Sequence, residues 1–206
     1  MDIPQTESHP FEPFLPEQAG ILFLGSFPPQ PKRWCMPFYY PNWLNDFWRI
    51  MGLIHFRDKD HFAVPGQKRF DEARIRAFCT AQGLALYDTA CAVKRLKDNA
   101  SDRFLEVVQE TDLPALLERI PACRTLVTTG QKATDVIVSK YACDEPPVGG
   151  HVPLQIGARA LTFWRMPSTS RAYPLALEKK AEAYRRLFAL QPPSPRSSPP
   201  PTPVIQ

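Results

Sequence analysis

The chain has 206 residues, 44% of them hydrophobic, and a formal net charge of +4. That length suits one medium domain or one domain with tails, the apolar content supports a real core, and so small a charge by itself identifies no partner. No apolar run approaches the roughly 20 residues of a membrane-spanning helix, and the acidic, polar start MDIPQTESHPFEPF has the form of neither a signal peptide nor a transit peptide, so an intracellular, cytoplasmic protein is expected.

Residues 1–19 read as a loosely attached lead-in. GILFLG, from Gly20 to Gly25, is a short apolar run closed by glycine, the pattern of a buried parallel strand. NWLNDFWRIMG then predicts a helix, because Trp43, Leu44, Phe47, Trp48 and Met51 recur at helical spacing, with Asn42 as its cap and Gly52 as its stop. RFDEARIRAFCTAQG is a second amphipathic helix ended by Gly83, and LALYDTA, from Leu84 to Ala90, a second buried strand. SDRFLEVVQE and DLPALLERI read as helical pieces, the latter with Asp112 as cap and Pro114 in the first turn. RTLVTTG is a third strand, QKATDVIVSK a helix, RALTFWRM a fourth strand, and ALEKKAEAYRRLFAL a last helix rich in strong helix formers. From Gln191 the sequence QPPSPRSSPPPTPVIQ has no hydrophobic period and is expected to be a disordered, partly polyproline tail.

Strand and helix alternating in this way predict an α/β fold over residues 20–190: a three-layer α/β/α sandwich around a central, mostly parallel four-stranded sheet. Ligands of such sheets bind at the carboxyl ends of the strands. Three unusual stretches lie at those ends: GSFPP, DTACAVKR and MPSTSRAY.

GSFPP lacks the GK[ST] of a phosphate loop and the spacing of a dinucleotide fingerprint. Its prolines stiffen the backbone just past a strand, so it is either a rigid loop that presents its amides to a pocket or a simple turn. Asn45 is a weak helix former in a predicted helix, beside Asn42 and away from the apolar face. It either holds a water or polar ligand at the strand ends or is a surface residue. VKRLK (Val93 to Lys97) and Arg171 follow strand-like runs and form either a basic rim or ordinary solvated surface. The five cysteines are odd in number and widely spaced, with no CxxC, which argues for reduced thiols and against a zinc ribbon or iron–sulfur site. His9 lies in the lead-in, His55 and His61 flank FRDKD, and His151 follows PPVGG; all read as loop positions rather than metal ligands.

FYYPNWLNDFW resembles the signature of the uracil-DNA glycosylase superfamily and is most similar to that of its mismatch-specific and hypoxanthine-type branches. GLALYDTACAVKR is similar to the family's second strand, and MPSTSRAYPLALEKKAEAYRRL to its C-terminal loop and last helix, in the same order from Gly20 to Leu190. The resemblance implies that Gly25, Ser26, Phe27 and Pro28 form the water-and-base loop, that Tyr40 stacks on a flipped base, and that Asn45, with Ser26, serves catalysis. It also implies that Asp88 reads the base edge and that the loop from Met166 to Arg171 (Ser168, Thr169, Ser170 and Arg171 at its tip) enters the duplex, with Lys94 and Arg95 as further DNA contacts. The implied activity is that of a monofunctional glycosylase of base-excision repair, acting as a monomer on double-stranded DNA that holds a damaged or mismatched base. It would hydrolyse the N-glycosidic bond of a flipped uracil or hypoxanthine without metal or organic cofactor. The chain departs from the fast uracil branch, having no acid in the first loop and Met166 where that branch has a histidine, and WLN stands for the P-x-N of the signature. His55 to Lys68 has no counterpart in the pattern. Two other readings stay open: a nucleic-acid-binding protein of this fold that has lost catalysis, and a small-molecule N-glycoside hydrolase.

Overall fold

The computed structural model describes residues 5–97 and 104–190; the Pro-rich tail lies outside the described residues. The strands are β1 (Thr6–Ser8), β2 (Ile21–Gly25), β3 (Leu84–Asp88), β4 (Ala90–Arg95), β5 (Leu105–Glu110), β6 (Thr125–Thr129), β7 (Gly150–Ile156) and β8 (Arg159–Met166). The helices are α1 (Phe47–Phe56), α2 (Glu72–Gln82), α3 (Leu113–Glu118), α4 (Gln131–Tyr141) and α5 (Leu177–Ala189).

The main sheet has five strands in the order β3-β2-β6-β8-β7. β2 runs parallel to β3 and β6, and β6 to β8, while β7 is antiparallel to β8. The sheet is therefore mixed, with one strand more than the four expected. The additional strand is GHVPLQI, whose Pro153 speaks against a strand in the sequence; at a sheet edge its missing N–H is tolerated. His151, expected in a loop, lies on this strand opposite Trp164, the ring centres 4.5 Å apart. Helices cover both faces. Phe23 of β2 meets Phe47 of α1 at 5.3 Å and the ring of Tyr184 of α5. Thr128 sits next to Val127, the register partner of Phe23, so its side chain points to the other face, where it shares a 2.7 Å hydrogen bond with Thr134 of α4. All five residues of β2 are buried, as a strand covered on both sides requires.

A second sheet, β1-β4-β5, lies beside the first. It overturns two expectations. LEVVQE is a strand rather than a helical piece: its paired β-branched valines suit a pleated surface, and it runs antiparallel to β4. The lead-in is not loosely attached either. Thr6–Ser8 pair with Ala92–Lys94, Phe14 bridges to Leu86, and Phe11 and Phe14 pack on Trp34 and Phe38.

The Gly83 end of α2 and the Asp112 cap of α3 follow the sequence reading, and Asp71 adds a cap it did not name. Asp71 accepts from the Arg74 amide and Gly83 takes the left-handed conformation at φ 63°, while Asp112 accepts from the Ala115 amide. α1 does not. It starts at Phe47, because Asn42 Oδ1 accepts the Leu44 amide (2.8 Å) and Asn45 Oδ1 the Phe47 amide (2.9 Å), local turns that compete with helix. Trp43 is thereby freed from the helix and packs on Phe70 under the Arg49 guanidinium. Nor does Gly52 stop the helix, which runs on to Phe56. Gly52 is small because the chain folds back over it: a Cβ there would collide with the carbonyl oxygen of Asp58.

Candidate active-site cleft

A cleft of about 770 Å³ opens at the carboxyl ends of β2, β3 and β6 and beside the loop after β8. Of the residues singled out in the sequence, Gly25, Ser26, Phe27, Pro28, Tyr40, Asn45, Asp88, Arg95, Ser168, Thr169 and Ser170 line it, whereas Lys94 and Arg171 do not. The volume falls in the range of pockets that take small-molecule ligands.

Within the GSFPP loop the side chains divide. The ring of Phe27 is buried in a small cluster with Ala90, Val93 and Leu105, so its free contribution to the cleft is its backbone. Pro28 and Pro29 have no amide hydrogen, leaving Ser26 and Phe27 as the amide donors at this end. Arg95 braces the loop. Its guanidinium donates to Glu7 and, at 3.1 Å, to the Pro28 carbonyl, with a side chain only 6% exposed, so it is a strut, neither an open basic rim nor solvated surface. Lys94 lies within β4, paired to Thr6 and Glu106. The sequence reading missed Arg33, an exposed cation of the lining.

Tyr40 is held in a strained place. Its φ is 51°, its ring stacks on Phe47 with centres 3.8 Å apart, and its hydroxyl is 3.1 Å from Thr129 Oγ1. One face of the ring is thus taken, and only the other remains for a ligand. Burial pushes the phenol well above its ordinary pKa, so the ring stays neutral. Asn45, the residue before the helix cap, shares a β-bridge with Ser170. Asp46 continues the join, its amide donating to the Thr169 carbonyl at 2.8 Å. Leu44, just before Asn45, is 57% exposed at the cleft.

The loop after β8 is held from behind. Tyr184 donates to the Pro167 carbonyl and Lys180 Nζ to the Ser170 carbonyl (2.8 Å). Lys180, 1% exposed, also meets Asp46 Oδ2 at 3.0 Å, and Arg171 Nε meets Asp46 Oδ1 at 3.0 Å. Arg171 therefore clamps the loop to α1 instead of lining the cleft. Ser168 and Ser170 hydroxyls accept from amides two residues on, which sets the loop's turns.

Asp88 is 7% exposed. Its Oδ2 lies 2.8 Å from Nε2 of His9, which comes from the lead-in and whose side chain is itself buried. The carbonyl oxygen of Asp88 accepts from the Thr111 hydroxyl. Nothing in the sequence linked His9 to Asp88, since a histidine after three strand residues carries no motif. The other histidines are accounted for without a ligand: His55 packs between Phe78 and Phe188, and His61 stacks on Phe56. Among the described residues no group of three or more His, Cys, Asp or Glu side chains is arranged to hold a metal.

No protein-family model matches this chain, and no curated protein sequence matches it. Solved structures do. One is the solution NMR structure of a protein titled "putative Uracil DNA glycosylase" from Methanosarcina acetivorans, similar with a TM-score of 0.59 and 20% identity over 90% of this chain and 99% of that one. At that identity the likeness is one of fold.

Proposed function

We propose that this protein is a monofunctional DNA glycosylase that hydrolyses the N-glycosidic bond of a deaminated base, uracil or hypoxanthine, flipped out of double-stranded DNA. The observation that carries this reading is the meeting of Asn45, Tyr40, Asp88 and the Ser26–Phe27 amides in one cleft, although they are spread over more than sixty residues of sequence. The fold shared with a protein titled as a uracil DNA glycosylase supports it.

A base inside a duplex is out of reach, so the nucleotide has to leave the stack at a cost of a few kcal/mol. Stacking on the free face of Tyr40 returns roughly 1–3 kcal/mol; Phe47 behind the ring keeps it from yielding. Asp88 accepts the N3–H of uracil or the N1–H of hypoxanthine. As the C1′–N bond breaks, its electron pair leaves with the base, and the amides of Ser26 and Phe27 would be the donors that stabilise that anion. Water then adds to the sugar cation, and the proton it gives up neutralises the departing base. With the cation largely formed first, Asn45 need only orient the water, which an amide can do although it is no strong base. Ser168–Ser170 and the exposed Arg33 would meet the backbone around the lesion. The reading asks for no metal or organic cofactor and no partner subunit.

The test is a set of duplexes carrying one uracil, hypoxanthine, xanthine or mismatched thymine, incubated with protein in excess and then cleaved with alkali. Strand cleavage at uracil or hypoxanthine is expected, and Asn45→Ala should slow it by orders of magnitude with DNA binding nearly intact. Wild-type excision in that variant would remove Asn45 from the mechanism. The second reading, a DNA-binding protein without catalysis, draws on the absence of a carboxylate from GSFPP; lesion binding with no base released would favour it.

A further inference from the structure

A carboxylate on a cleft wall can swing about its last torsion, and in a poorly solvated place an unpartnered one takes up a proton and becomes a donor. Asp88 is denied the first freedom from both sides. Its Cα is the register partner of Gly25, and Oδ1 packs against that glycine so closely that any side chain there would collide with it. Oδ2 is taken by His9 Nε2 at 2.8 Å, from a residue 79 positions away. His9 is fixed in turn. Its amide donates to the Cys91 carbonyl at 2.7 Å, at the end of the β1–β4 pairing. Its ring lies against Tyr87 and Phe27, centres 4.7 and 5.3 Å away, with the side chain 3% exposed. Its Nδ1 is 3.1 Å from the amide nitrogen and 2.8 Å from the carbonyl oxygen of Phe11. A neutral ring accepts the Phe11 N–H at Nδ1 and carries its hydrogen on Nε2; an imidazolium carries hydrogens on both. A third form, neutral with its hydrogen on Nδ1 and donating to the Phe11 carbonyl, would set two lone pairs against each other at 2.8 Å; an ionised carboxylate can only accept, so the contact with Asp88 Oδ2 puts the hydrogen on Nε2.

We infer that His9 is a positioning residue that sets substrate choice: it fixes Asp88 as a hydrogen-bond acceptor, with the oxygen beside Gly25 offered to the base. The chemistry of deamination gives such an acceptor its use. Adenine has a lone pair at N1 and hypoxanthine a hydrogen; cytosine has a lone pair at N3 and uracil a hydrogen. One rigid acceptor therefore admits both deaminated bases and repels both parents. This inference rests on the glycosylase reading, and its test separates the two.

Binding is measured to duplexes containing hydrolysis-resistant 2′-fluoro-2′-deoxyinosine or 2′-fluoro-2′-deoxyadenosine at the same position, so that no chemistry intervenes. Wild type should prefer the inosine duplex. His9→Phe fills the aromatic nest but donates nothing, and the inosine-to-adenosine preference should fall roughly tenfold or more, the worth of one hydrogen bond to a buried edge. His9→Gln, whose side-chain N–H reaches the place of Nε2, should keep most of the preference. A His9→Phe protein with the wild-type preference overturns the role of His9 and leaves the glycosylase reading standing. So does a His9→Gln protein that falls as far as His9→Phe, since both would then report lost structure. Equal binding of the two duplexes by wild type overturns the inference; equal binding also of the matching 2′-fluoro-2′-deoxyuridine and 2′-fluoro-2′-deoxycytidine duplexes overturns the glycosylase reading with it.

Discussion

Asp46 and Asp88 invite comparison: two buried aspartates at the cleft end of the molecule, each tied to a basic side chain far along the chain. Asp46 has both oxygens spent, one on Arg171 and one on Lys180, and it does not line the cleft. Asp88 has one oxygen spent on His9 and does line it. The difference teaches how to read a buried carboxylate. One with both oxygens engaged by the protein is a rivet, here between α1, α5 and the loop after β8. One on a cleft wall with an oxygen left over still has lone pairs to offer a ligand.

The same substitution at the two sites should break them differently. Asp46→Asn leaves the Lys180 ammonium buried with only neutral acceptors, and stripping one member from a buried ion pair costs about 3–5 kcal/mol. Urea denaturation should show a loss of that order, with a looser 168–171 loop and weaker excision as consequences. A stability within error of wild type would mean that Lys180 finds water in place of the carboxylate, and the rivet description would fail.

Tyr40 tests the boundary between the two kinds of site, since it is gripped by Phe47 behind and is open to the cleft in front. Tyr40→Ala should weaken binding to lesion-bearing duplex by roughly 1–3 kcal/mol. Tyr40→Phe gives up only the hydrogen bond to Thr129 and should be mild. If the two variants bind alike, the hydroxyl is the working part and the ring is not.

Asp88→Asn is the counterpart of Asp46→Asn. An asparagine can still accept from His9 with its oxygen, turning its NH2 towards the cleft, so the fold should hold. A donor then faces the base where an acceptor stood, which suits a uracil carbonyl better. The ratio of single-turnover rates, uracil over hypoxanthine, should rise. Asp88→Ala should impair both substrates by about 1–3 kcal/mol, the cost of an unmade bond. An unchanged ratio in a well-folded Asp88→Asn protein would make Asp88 a second rivet.

The parallel strands and the last helices were legible because their signal is local: an apolar run closed by glycine, or a 3.6-residue period with a cap. GSFPP and Asp88 could be placed at strand ends for the same reason. What the sequence hid depends on pairing across the fold. β5 reads as helix until β4 lies beside it, and β7 carries a proline that only an edge position excuses. Asn45 reads as a helix residue, although its own side chain holds the Phe47 amide and so keeps it out. His9 and Lys180 are the sharpest cases. Each looks like a surface residue of its own segment, and each completes an aspartate that lies 79 or 134 residues away.

His55 extends the comparison to a polar group with no partner and carries the smallest effect. On α1, between Phe78 and Phe188, its Nε2 is buried without a hydrogen bond among the described residues. Burial disfavours the charged ring and pushes its pKa down from 6.5 to about 4. The sign follows from proton counting. Between those two values the unfolded chain binds a proton that the folded one refuses, so stability falls as pH drops through this window and is fully present above it. His55→Leu removes the proton site and keeps the packing. Its melting temperature should therefore gain on wild type between pH 7 and pH 4.5, while carboxylates that titrate in the same range act on both proteins equally. Parallel melting curves over that span would mean that the folded protein protonates His55 as readily as the unfolded chain does, and that the ring has found a partner after all.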